Sequence, residues 1–92
     1  MMVVYKYPLL AQNDFVIMLQ KGAKILHVEM QHGKPQMWVL QNPNASQVQR
    51  HFMLVATGEP RDDIEGAEFV GTFLAQGGVF VFHLFVRPEE KV

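Results

Sequence analysis

Glu68-Phe69-Val70-Gly71-Thr72-Phe73-Leu74-Ala75 runs into Gln76-Gly77-Gly78 and returns as Val79-Phe80-Val81-Phe82-His83-Leu84-Phe85-Val86. Both runs are rich in β-branched and aromatic residues, with five of the chain's seven phenylalanines among them. The glycine pair supplies the positive φ angles that tight connections demand, so the stretch predicts a β-hairpin. Its second run is apolar on both faces: Val79, Val81 and Phe85 on one side, Phe80, Phe82, Leu84 and Val86 on the other. Such a strand needs covering twice, by its own domain and by another layer or another subunit. Self-association is therefore expected, most simply as a two-fold homo-oligomer.

Upstream of the hairpin the period stays near two. Residues 2–7 read as a first strand ended by Pro8, and residues 14–19 as a second stopped by Lys21-Gly22-Ala23. Residues 24–31 set Leu26, Val28 and Met30 against His27, Glu29 and Gln31, and His32-Gly33 turns this strand into residues 34–41. Pro35 has no N–H to give a ladder, so it belongs at a strand start or on an edge. Asn42-Pro43-Asn44-Ala45-Ser46 is turn chemistry. In residues 47–57, Phe52, Leu54 and Ala56 oppose His51, Met53 and Val55. The polar connection 58–66 follows, with one short helical turn expected at 61–65. The expected fold is all-β: an antiparallel sandwich or barrel of about seven strands with at most that one helical turn.

Residues 1–92 make a single β domain, which at this length buries about 60–65% of its unfolded surface. Hydrophobic residues are 49% of the chain and charged residues 18%, which argues against disorder and for extra buried surface through association. A net charge of −1 lacks the basic footprint of a duplex nucleic-acid binder. There is no cysteine, so disulfides and thiolate metal sites are excluded. No stretch has the length of an apolar membrane span, and no basic segment precedes an apolar one at the start, so a cytoplasmic protein is expected.

Several blocks together resemble a family of small uncharacterised phage and bacterial proteins. They are Tyr5-Lys6-Tyr7-Pro8-Leu9, Lys21-Gly22-Ala23-Lys24-Ile25-Leu26, Gly33-Lys34-Pro35 before Trp38, and Thr57-Gly58 before Pro60. Phe69-Val70-Gly71-Thr72-Phe73 and Gly77-Gly78-Val79-Phe80-Val81-Phe82-His83 complete the set. The resemblance spans nearly the whole chain. It implies a phage setting, hence the host cytoplasm, and imports no activity. Glu59 stands where the pattern leads one to expect histidine, so no base is assigned there. Small oligomeric phage proteins include sponges that sequester host nucleotide immune signals, and this setting suggests such a role.

The candidate chemistry is sparse. His27, His32, His51 and His83 show no ligand spacing, so no metal site is assigned and no cofactor is expected. Asp62-Asp63 fit the acidic start of a helical turn better than a converging carboxylate pair. With Ser46 in a turn and no histidine or lysine fixed beside Thr57 by sequence, covalent catalysis has little footing and no enzyme is expected. The most suggestive polar set is Arg50, Thr57, Gly58 and Arg61, with Trp38 as a stacking face. Converging, these five would hold a small nucleotide-like ligand through guanidinium forks, backbone N–H groups and an aromatic plane. Separately, each has an ordinary role as core, turn or solvated surface. The leading expectation is a non-enzymatic nucleotide-binding protein. The alternative is a protein-binding module, acting on a host protein or in the virion, that uses the apolar last strand or an exposed edge.

Overall fold

A computed structural model describes residues 1–89 as two antiparallel sheets packed face to face. The strands are β1 (Val3–Pro8), β2 (Asp14–Gln20), β3 (Lys24–Gln31), β4 (Lys34–Gln41), β5 (Gln47–Ala56), β6 (Glu68–Ala75) and β7 (Phe80–Val86). One sheet has the order β1-β4-β3 and the other β2-β5-β7-β6. The strands form an open sandwich and do not close into a barrel. Two 3-10 turns interrupt the strands, the expected one at Asp62–Ile64 and another at Gln76–Gly78 inside the hairpin connection. The second was not anticipated. It arises because Gln76, Gly77 and Gly78 all take positive φ and coil the connection more tightly than a plain loop.

Strand alternation builds the core. Met37 and Val39 of β4 and Val28 of β3 face Phe15, Leu19, Phe52, Leu54, Leu84 and Val86 of the larger sheet, all buried. Phe15 and Phe52 are directly paired across β2 and β5 and stack with ring centroids 5.3 Å apart. Gln41, only 2% exposed, ties the layers together: its Oε1 accepts from the Gln20 N–H and its Nε2 donates to the Tyr7 hydroxyl.

Two expectations about side-chain direction need correcting. A β-bulge between Ile25 and His27 makes Leu26 the extra residue of β3. Leu26 is therefore exposed, while Ile25 packs on the core beside Val28 and Met30. Val79 precedes β7 and is exposed, because the turn consumes it before pairing resumes at Ala75 and Phe80.

The middle of the larger sheet's outer face is covered by the chain itself, while Val16, Met18 and Phe69 toward its edges stay exposed. Met53 and Val55 point away from the core, opposite Phe85 and His83, yet they are 1% and 7% exposed. The connection from Thr57 to Ala67 crosses this outer face on its way from β5 to the far edge strand β6. On the β2 side Arg61 fastens it to the Asn13 carbonyl and Asp14. On the other side Arg87 donates to the carbonyls of Glu65 and Asp63. A polar connection therefore acts as a strap over apolar side chains.

Candidate binding clefts

The sandwich has a cleft at each end. One lies where the β1–β2 loop, the β3–β4 turn and the β6–β7 hairpin meet, with a volume of about 670 Å³. Met30, Pro35, Leu54, Phe73 and Phe82 form its walls, with Leu74 on the hairpin side. Its polar side chains are the amides of Gln12, Asn13 and Gln76, and no charged residue lines it. Leu74, Val79 and Phe80 are 59%, 73% and 46% exposed and extend the apolar surface from the cleft to the hairpin tip.

At the opposite end a smaller cleft of about 260 Å³ opens between the β2–β3 turn and the start of β6. Arg50 lines it together with Lys24, Glu68, Ile25 and Val86. Arg50 shares the inward face of β5 with Phe52 and Leu54 and is 5% exposed. Its Nε and Nη2 donate to the Arg87 carbonyl, at 3.4 and 3.1 Å. Among the described residues it has no carboxylate within salt-bridge distance.

The other residues expected to join Arg50 lie elsewhere. Arg61 is on the strap, outside the larger sheet, and its donors are taken. Nε reaches Asp63 at 2.8 Å, Nη1 the Asn13 carbonyl at 3.1 Å, and Nη2 both Asp63 and Asp14. Asp63, and after it Asp14, raise the pKa of this guanidinium, while Arg61 holds the Asp63 carboxyl below its usual value. Thr57 and Gly58 begin the strap, with Gly58 in the left-handed region at φ 86°. Trp38 is half-buried on the outer face of the smaller sheet, its ring 6.0 Å from that of His27. The structure thus joins Thr57, Gly58 and Arg61 along one connection and separates them from Arg50 and Trp38.

A polar group not anticipated from sequence sits at the strap's origin. His83 Nε2 is 2.8 Å from the Thr57 hydroxyl, and its Nδ1 is 2.8 Å from the Thr72 hydroxyl. In a neutral imidazole one nitrogen donates and the other accepts, so two hydroxyls complete its hydrogen bonding. Thr72 opposite His83 follows from counting back from the Ala75–Phe80 pair once the turn length is known. Thr57 beside His83 requires the pairing of β5 with β7, which local sequence does not specify. Among the described residues no three histidine or acidic side chains gather as metal ligands.

The class defined by this fold and these hollows is an open, seven-stranded antiparallel sandwich with an apolar cleft at one end and a buried guanidinium at the other. Within that class, the chain belongs to the family described as "Domain of unknown function (DUF7352)", which matches residues 1–92. No curated protein and no solved structure matches it. No helix among the described residues is long and apolar enough to cross a membrane.

Proposed function

We propose that this protein is a non-enzymatic binding module whose working surface is the hairpin-end cleft. Its partner is an extended protein segment that inserts apolar side chains. The observation that carries this reading is the continuity of the apolar cleft with the exposed Leu74, Val79 and Phe80. The cleft volume lies within the usual range for binding hollows, and exposed apolar side chains contiguous with such a hollow are a feature of interaction surfaces. A phosphorylated ligand would find no cation on these walls, whereas the three amides suit a peptide backbone. The Thr57–His83–Thr72 group lines neither of these two clefts. In the phage setting that the sequence resemblance implies, the partner is a host protein or a virion component. The nucleotide-sequestering alternative is favoured by one observation, the unpaired Arg50, which is at the other end of the sandwich.

Selection from a random peptide library on the immobilised protein tests the proposal. Enriched peptides should carry apolar residues at alternate positions and perturb the amide resonances of Ala11, Asn13, Ala75 and Gln76. Leu74→Lys, an exposed change, should weaken them about tenfold or more by placing a charge against apolar contacts. Enrichment of no peptide, peptides that map outside the cleft, or binding unchanged in Leu74→Lys would overturn it.

A further inference from the structure

We infer that Arg50 is the floor of a separate site for a small oxyanion, a carboxylate or a phosphate group, at the end of the sandwich opposite the apolar cleft. Burying a guanidinium away from water is costly unless a counter-charge or a full set of acceptors receives its donors. Arg50 is 95% buried (5% exposed) on the inner face of β5, yet a single carbonyl, that of Arg87, accepts from it. Both of those bonds come from Nε and Nη2, and Nη1 has no partner among the described residues. Nη1 is not sealed off as an unsatisfied buried atom either, so solvent or a ligand can reach it. The side chain lines an open cleft, not a closed void.

The surroundings narrow the ligand class. Lys24 brings a second cation to the cleft; among the described residues Glu68 lines it, and the Glu89 carboxylate accepts from the Gly22 N–H in the adjoining β2–β3 turn. By strand register Glu68 lies on the same face as Val86 and Phe52, with β7 between it and β5, and it forms no ion pair with Arg50. Neither Glu68 nor Glu89 forms an ion pair with Arg50, so the ligand preference is set by the free guanidinium donor and not by an excess of local charge. About 260 Å³ suits one oxyanion head and a few attached atoms, with Ile25, Val70 and Val86 giving the remainder apolar contact. A base and sugar would have to project outside. Arg50 is held by the Arg87 carbonyl on one side, so its remaining donor geometry is preorganised, the condition under which guanidinium–oxyanion recognition is strongest. This site is independent of the peptide-binding reading: it shares no residue with the hairpin-end cleft.

Nuclear magnetic resonance of the arginine Nε–Hε groups in the whole protein tests the inference without a variant that might unfold. Inorganic phosphate, a nucleoside monophosphate, a cyclic dinucleotide and acetate are titrated at constant ionic strength, with chloride as the control. The Arg50 signal should shift saturably with at least one oxyanion and not with chloride. Response to the phosphates alone assigns a phosphate ligand, and response to acetate as well assigns a general carboxylate-accepting site. Glu68→Gln, at an exposed position, should tighten binding about 3–10-fold, and Lys24→Gln should weaken it by a similar factor, as expected for charges acting across a partly solvated cleft. An Arg50 signal unmoved into the tens of millimolar, or one that responds equally to chloride, would overturn the site. So would saturable binding that neither Glu68→Gln nor Lys24→Gln alters.

Discussion

At Gly71 the absence of one carbon atom lets the two sheets meet. The residue follows the β-bulge of β6 and sits opposite Leu84, facing inward. A Cβ built there would lie 2.8 Å from Val28 Cγ1 of β3, well inside contact distance. Val28 is branched and 3% exposed, so its methyl has little room to retreat. Gly71→Ala should destabilise the fold by about 1–3 kcal/mol through overpacking, measured by urea denaturation. Val28→Ala in the same chain should recover part of that loss, because the two changes share one contact. Strictly additive effects would place the strain elsewhere. Glycine at this position is a packing requirement, whereas at Gly77 and Gly78 it is a dihedral one, with φ of 66° and 94°.

Among the elements, the strap from Thr57 to Ala67 carries the most consequence. It contains little that could fold alone, yet it shields Met53 and Val55 because Arg61 and Arg87 hold it from both sides. Arg61→Ala should free its middle, speed amide exchange there and across the outer face of β5, and lower the melting temperature. Unchanged exchange would show that Arg87 alone suffices. The acid response has a defined sign. Arg61 depresses the Asp63 pKa below its ordinary 3.8, so this ion pair contributes fully above that pH and is lost only as pH falls through the lowered value. The strap should stay fastened at neutral and mildly acid pH and loosen below about pH 4. In Asp63→Asn that part of the acid transition should disappear, read by amide exchange across the outer face against pH.

Over the whole molecule, the sheets depend on a few polar ties as well as on the core. Gln41→Ala would leave the Gln20 N–H without its acceptor and open a cavity between layers. A loss of about 2–4 kcal/mol is expected, with a lower denaturation midpoint and an unchanged slope. Gln41→Leu should cost less, since it restores the volume and not the hydrogen bond. Assembly is also constrained at this scale. β7 is paired by β5 and β6, so a homo-oligomer cannot extend the sheet through it. β1 and β2 are edge strands on one side of the sandwich, while β3 and β6 pack against each other on the other. The outer-face residues Val4, Val16 and Met18 are about half exposed on those two edge strands.

The sequence by itself determined every strand, because period-two alternation, glycine turns and the scarcity of helical pattern are local properties that no distant contact reverses here. It also placed the turns at His32-Gly33 and Gly77-Gly78, where positive φ restricts the choice of residue. The bulge at Leu26 was illegible, since one extra residue in a strand is tolerated or rejected by what lies opposite it. The site was legible only as residue types. Arg50 and Arg61 look alike in the chain, but an even-numbered position on β5 sends one into the core, while the other sits on a strap beside two carboxylates. Thr57 and His83 are 26 residues apart and meet only because β5 pairs with β7. Strand order was decided by which faces could be buried together, a free energy that belongs to the assembled layers and to no segment alone.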